Sequence, residues 1–274
     1  MKIPRRKFLS HAALGVGSAL LAPQLLAEIP IAPKTFDPYE RVAIGKTKLK
    51  FSRIVLGTGM KGGNRESNHT RLGKANFERL LRESNERGVD TFDLADLYGT
   101  HPYVIPALQG IPRDKFQVIT KIWFRSGGIP ESERPDADVC TERFLKELQT
   151  DHIDLMLLHC VVSAKWPDEL RKQMDLLTKM KQAGKIRALG VSCHSLEALK
   201  TAATEPWVES VHARINPYGM SMDGSAEVVV PVLKQIHSAG KGVVGMKIMG
   251  EGRLRNDDEK RDASVKFALQ LGCV

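Results

Sequence analysis

Seven short apolar runs recur along this chain, at 53–56, 90–94, 116–122, 153–158, 186–191, 210–215 and 242–248. Most are rich in Val, Ile and Leu and nearly continuous, the pattern of strands buried on both faces. Amphipathic stretches lie between them, at 75–87, 137–149, 168–183, 196–203, 226–239 and 259–271. In the third of these, Leu170, Met174, Leu177, Met180 and Lys181 recur at three- and four-residue steps and predict one face of a helix. Gly88 and Gly184 read as helix-ending glycines, each just before a strand. Repeated strand–helix alternation predicts an α/β fold with a parallel sheet and right-handed crossovers. No fixed-period self-similarity is visible, which argues against a solenoid. Periodicity alone is compatible with a closed barrel or an open, doubly wound sheet.

Ahead of the alternation, apolar residues flank Gly45-Lys46-Thr47 within residues 41–49 and predict a short β-hairpin. A Pro-rich linker over residues 28–40 precedes it. Setting aside the first 51 residues, which hold these segments and what precedes them, leaves about 220 residues for seven strands, about 32 per unit, where a barrel has eight. The expectation is therefore a barrel truncated after the seventh βα unit, spanning residues 41–274.

Residues 1–27 carry Lys2, Arg5, Arg6 and Lys7 and no acid, followed by an apolar stretch over 12–27 broken by Pro23 and Gln24. A positive head and a short apolar region have the shape of a secretory signal. The paired arginines before Lys7-Phe8-Leu9 are similar to a twin-arginine signal, which implies the twin-arginine export machinery as a partner. Cleavage after Ala22 or Ala27 would leave a periplasmic or otherwise exported protein. A membrane span needs about 20 apolar residues, so no stable span is expected in the mature chain. The net charge of +9 falls to +5 without the first 27 residues, leaving 37 basic against 32 acidic residues. That balance, with 6% aromatics, argues against a nucleic-acid partner. Cys140, Cys160, Cys193 and Cys273 form neither a CxxC pair nor a zinc spacing.

Gly57-Thr58-Gly59-Met60-Lys61-Gly62 spells GxGxxG after a strand. A dinucleotide fingerprint needs its last glycine to open a helix; here loop residues follow until about Ala75. The segment reads instead as a strand-end loop on the functional face of a barrel, with Gly57 and Thr58 on the cofactor side. Other strands carry the chemistry. Asp93 lies in one strand, with Tyr98 five residues on in a loop; Lys121 interrupts an apolar strand, and His159 ends another. In a barrel, groups at the carboxyl ends of parallel strands converge on one face. Tyrosine is a poor acid at neutrality, and a nearby cation lowers its pKa. Lys121 is thus expected to activate Tyr98, Asp93 to hold Lys121, and His159 to orient a substrate oxygen.

These residues, with Gly184–Ser192, Asn216-Pro217-Tyr218 and Val244–Lys247, resemble the aldo-keto reductase family from about Val42 onward. The resemblance implies a (β/α)8 TIM barrel that binds NADP(H) or NAD(H), NADP(H) being favoured, and exchanges hydride with a carbonyl or alcohol substrate. It implies that Asp93, Tyr98, Lys121 and His159 form the catalytic tetrad, with Tyr98 as general acid/base. Ser192 matches a residue that hydrogen-bonds the nicotinamide carboxamide. Cys193, His212, Met246 and Lys247 fall at cofactor-side positions; Ser192-Cys193-His194 replaces a common Ser-Asn, His212 a common Gln, and Met246 an aromatic ring. Methionine can still pack there as a polarizable filler. A His/Cys metal site around Cys160 and Cys193 is the weaker reading beside two small buried hydrophobes, and no metal is expected.

The expected function is a carbonyl reductase or alcohol dehydrogenase, exported with a tightly held nicotinamide that one substrate reduces and another oxidises. The alternative is a non-catalytic or regulatory binding protein on the same fold; four intact tetrad residues argue against it. Trp123 and Phe124 suggest an aromatic pocket wall, with Trp166 a further candidate for apolar lining.

Overall fold

The computed structural model describes residues 36–274. The twin-arginine segment and most of the Pro-rich linker lie outside the described residues. A hairpin comes first, β1 (Arg41–Ala43) antiparallel to β2 (Lys50–Ser52), with Val42 opposite Phe51. Its second arm begins one residue beyond the predicted segment. The turn is longer because Ile44 N–H donates to Leu49 O at 3.1 Å and Thr47 N–H to Ile44 O at 3.1 Å.

The remaining elements alternate: β3 (Leu56–Gly57), α1 (Lys74–Glu86), β4 (Thr91–Asp93), α2 (His101–Ala107), β5 (Gln117–Ile122), α3 (Ala137–Glu147) and β6 (Ile153–Val161). Then follow α4 (Trp166–Glu169), α5 (Arg171–Gln182), β7 (Ile186–Cys193), α6 (Leu196–Thr204), β8 (Ser210–Arg214), α7 (Ala226–Ser238), β9 (Gly242–Met246) and α8 (Asp258–Gln270). Strands β3 to β9 form one seven-stranded parallel sheet in sequential order. Sequential order has no switch point, which distinguishes it from a doubly wound sheet; this is the curled βα-unit sheet of a (β/α)8 fold. Its edges are β3 and β9.

Two predicted elements differ, and one helix has no predicted counterpart. The first sheet strand pairs only over Leu56 and Gly57, opposite Phe92 and Asp93, because Ser52 and Arg53 are held elsewhere: Ser52 N–H donates to Asp90 Oδ1 at 2.9 Å and Arg53 N–H to Glu40 O at 2.8 Å. The helix predicted over 168–183 splits at Leu170, whose φ of −112° and ψ of 15° leave the helical region. Met174, Leu177 and Met180 form its buried face, while Lys181 pairs with Glu209 at 2.5 Å. Helix α2 has no counterpart in the sequence reading, because Pro102 and Pro106 break its periodic signal.

Two apolar layers result from strand alternation. Phe92, Val118, Met156, Leu158, Leu189 and Val191 face the helices. Ile119, Leu155, Leu157 and Ala188 face inward and pack against Ile44, Leu49 and Phe51 of the hairpin. The hairpin therefore plugs the interior, leaving the opposite, carboxyl ends of the strands for the site. Between the hairpin and β9 runs an apolar groove lined by Val42, Ile44, Phe51, Val55, Val243 and Ile248.

Candidate active site

The four chemistry-bearing side chains of the strand ends come together. Lys121 follows Ile119 by two residues and so shares its inward direction; its Nζ donates to Asp93 Oδ1 and, at 2.8 Å, to Leu94 O. Lys121 is completely buried. The same ammonium lies 5.1 Å from the centre of the Tyr98 ring. Tyr98 Oη and His159 Nε2 share a hydrogen bond of 3.1 Å, and the two rings meet edge to face. Trp123 also meets His159 edge to face, with ring centres 5.2 Å apart. Of the other aromatics expected at the pocket wall, Phe124 packs against the helix-side core. Trp166 is buried among the helices and donates to Ala198 O at 3.4 Å.

The sequence reading gave no role to what holds Tyr98. The ring sits at the end of a 3-10 turn, Asp96–Tyr98, stopped by Gly99 at φ +62°. Asp96 is clamped by Arg143 at 2.6 and 3.1 Å and by Arg65 at 3.0 Å. Arg143 also reaches Glu147 at 3.0 Å, Glu147 pairs with His101 at 2.7 Å, and His101 with Thr120 at 2.6 Å. Burial of the Asp96 carboxylate is outweighed by its two arginines, which hold it below the usual carboxylate range. A strand-to-helix ion network thus anchors the turn that presents the phenol. The GxGxxG segment lies against the other side of the ring. A Cβ on Gly59 would sit 2.1 Å from Tyr98 Cζ, and one on Gly62 would sit 2.4 Å from Cδ1. These glycines make room for a tyrosine. Gly59→Ala is therefore expected to lower turnover about a hundredfold by displacing the phenol, whereas Gly63→Ala, with open space at its Cβ, leaves turnover near wild type. Equal losses in the two variants would contradict this reading.

Burial dominates the electrostatics. It pushes Tyr98 far above the ordinary phenol value, with Asp93 and Cys160 adding to the shift. The net shift of the phenol is upward, not downward as the sequence reading expected, although the Lys121 ammonium lies 5.1 Å from the ring centre. The histidines move the other way: burial first, then neighbouring cations, hold His159 well below 6.5. His194 falls to about 3 and His212 to about 4, again chiefly through burial. A histidine whose folded pKa is depressed binds its proton more readily when unfolded. The stability it confers is complete above about 6.5 and is lost as pH falls toward the folded value, by up to about 1.4 kcal/mol per pH unit for each group. Urea midpoints are expected to fall between pH 7 and pH 4.5, and to recover in part in His194→Gln. A midpoint independent of pH across that range would contradict the assignment.

The expected cofactor side divides. Ser192 and His212 are register partners on β7 and β8 and are both completely buried. Ser192 Oγ accepts from Cys160 N–H at 2.8 Å, so its own proton is free among the described residues. Both ring nitrogens of His212 lack a hydrogen-bond partner, Nε2 lying 3.7 Å from Asp93 Oδ1. A free hydroxyl beside two open ring nitrogens fits a carboxamide. Met246 is half-buried at the end of β9, and Lys247, at φ +53°, pairs with Glu251 at 3.0 Å. Lys61, Arg253 and Arg255, together with Glu251, line a cleft between the loops after β3 and β9. Two expected positions do not fit. Cys193 follows Ser192 and so points into the helix-side layer, where it is buried. Thr58 spends its hydroxyl on Asp93 O at 2.9 Å, tying β3 to the strand end, and Gly57 is exposed beside it. Among the described residues no group of three or more His, Cys, Asp or Glu is placed to hold a metal.

A profile of the aldo/keto reductase family matches residues 53–269. The aldo-keto reductase YhdN of Bacillus subtilis is 30% identical over 245 residues, 83% of this chain and 70% of its own length. The NADH-specific methylglyoxal reductase of Escherichia coli is 26% identical over 173 residues, 56% of this chain, which spans about half that enzyme's length (52%). In fold, the holo form of aldo-keto reductase AKR11C1 from Bacillus halodurans matches with a TM-score of 0.59 at 22% identity, over 78% of this chain and 68% of its own. With the profile covering residues 53–269 and a relative 30% identical over 83% of this chain, the chain belongs to the aldo/keto reductase family of nicotinamide-dependent carbonyl oxidoreductases.

Proposed function

We propose that this protein interconverts a carbonyl and its alcohol with NADP(H), using Tyr98 as the general acid/base. The observation that carries the reading is the 3.1 Å contact between Tyr98 Oη and His159 Nε2, with the Lys121–Asp93 pair behind the phenol ring. A carbonyl oxygen seated between Oη and Nε2 accepts from both when the imidazole carries its proton on Nε2. Burial keeps His159 neutral, so it orients the oxygen without adding a proton of its own. The raised phenol holds its proton until negative charge develops on that oxygen, which is then the stronger base. The Lys121 ammonium offsets the charge left on the tyrosine, and Asp93 keeps that ammonium in place. When bound, the nicotinamide supplies or accepts the hydride. Ser192 and His212 would hold its carboxamide, and Met246 would pack near its ring. The cationic cleft of Lys61, Arg253 and Arg255 supports NADP(H) over NAD(H), since it suits a ligand with an additional phosphate.

Export belongs to the same proposal. Arg5 and Arg6 direct the folded protein through the twin-arginine machinery with its cofactor already bound, and the mature form works outside the cytoplasm. The expected result is a shortened chain in the periplasmic fraction, carrying nicotinamide detectable by mass spectrometry and reducing aldehydes faster with NADPH than with NADH. Lysine at both positions 5 and 6 is expected to retain the protein in the cytoplasm. A periplasmic chain without bound nicotinamide would overturn the tightly held cofactor, and faster reduction with NADH would overturn the cofactor preference.

A further inference from the structure

At and just after the carboxyl ends of β5, β8 and β9, three cations are neutralised and a fourth is not. Lys121 is paired with Asp93, Arg214 with Asp223 and Lys247 with Glu251. The fourth, Arg125, has no carboxylate partner among the described residues. Its guanidinium donates to Cys160 Sγ at 3.0 Å and lies 5.8 Å from the centre of the Trp123 ring. Thiol sulfur is a weak acceptor, so this contact positions the fork without satisfying it. Cys160 follows His159 directly, at φ +62° in a register shift between Leu158 and Val161. Trp123 is the ring packed on His159. The exposed guanidinium is thus joined by two separate contacts to the residue that faces the carbonyl oxygen.

We propose that Arg125 is a specificity-determining residue that receives the carboxylate of an oxo-acid substrate, whose reacting carbonyl sits at Tyr98 and His159. The inference rests on the reductase reading and names its substrate class. A guanidinium presents paired donors matched to the two oxygens of a carboxylate. Trp123, lying between Arg125 and His159, gives the body of such a substrate a flat apolar wall. Burial first, and then neighbouring cations that include Arg125, keep His159 and His194 deprotonated.

The test compares phenylglyoxylate with its methyl ester, which differ in the charged group but share the ketone. In the NADP(H)-loaded protein, kcat/KM for each is measured in wild type, Arg125→Leu and Arg125→Lys, and phenylglyoxylate binding is measured by calorimetry with the oxidised cofactor. Arg125 is exposed and its loss leaves no buried charge, so the variants are expected to fold. The acid-to-ester ratio of kcat/KM is expected to fall about ten- to a hundredfold in Arg125→Leu, mainly through KM, and to recover in part in Arg125→Lys. Phenylglyoxylate binding should weaken by a similar factor. An unchanged ratio, with reduction of the ester intact, would overturn the Arg125 assignment and leave the reductase reading standing. Failure of wild type to reduce either compound, while Arg125→Leu still loses phenylglyoxylate binding, would overturn the reductase reading and keep the carboxylate site. Neither turnover nor binding in wild type would overturn both.

Discussion

Tyr98→Phe is expected to lose turnover by about a thousandfold while retaining cofactor and substrate affinity. General acid–base groups contribute on the order of 10²–10⁴ in rate, and the phenol is the one proton donor the structure places against His159 Nε2 in this cluster. The ring itself packs against Gly59 and Gly62, and phenylalanine keeps that contact. What is removed is one hydroxyl and one hydrogen bond, about 1 kcal/mol of stability. Stopped-flow measurement of the single-turnover rate, with cofactor binding followed separately, distinguishes lost chemistry from lost binding. Wild-type turnover in this variant would remove Tyr98 from the mechanism.

The largest effect on the folded state is expected from Lys121→Ala. The ammonium is completely buried and donates to both Asp93 and Leu94 O. Burial pushes its pKa down and Asp93 opposes that shift. Removing the lysine strands the Asp93 carboxylate, with His212 Nε2 at 3.7 Å as the nearest replacement. Breaking a buried pair from one side costs about 3–5 kcal/mol, whereas replacing both members with neutral groups is often close to neutral. Denaturation midpoints should therefore fall sharply in Lys121→Ala and recover substantially in the double variant Asp93→Asn with Lys121→Met. Turnover should stay low in both, since neither supplies a cation behind the phenol. A double variant as unstable as the single one would show that packing, and not the stranded charge, sets the cost.

The architecture is legible in the sequence wherever an apolar run is long enough to be buried on both faces. Strands such as Ile153–Val161 and Ile186–Cys193 announce themselves because nearly all of their residues are buried and most are apolar. The two-residue β3 and the proline-bearing α2 do not, since the first is set by pairing with Phe92 and Asp93 and the second by tertiary packing. Site residues follow the same division. Lys121 stands out because a charge in an apolar strand demands a partner, and Asp93 lies at the right strand end to supply it. Asp96 is also buried, but its partners Arg65 and Arg143 are 31 and 47 residues away, and no local pattern marks them. Cys193 shows the limit of reading neighbours together: adjacent strand residues point to opposite faces, so its proximity to Ser192 in sequence separates them in space. The glycines at 59 and 62 carry a visible motif whose meaning changes once the Tyr98 ring is seen against them.

The most direct test of the account follows the hydride. Purified protein is supplied with reduced nicotinamide deuterated at its hydride-donating carbon and with a carbonyl substrate, and the alcohol product is analysed by mass spectrometry. The account predicts one deuterium on the carbinol carbon in wild type and almost no product from Tyr98→Phe over the same interval. An alcohol without the label, or labelled product formed equally fast by both proteins, would contradict it.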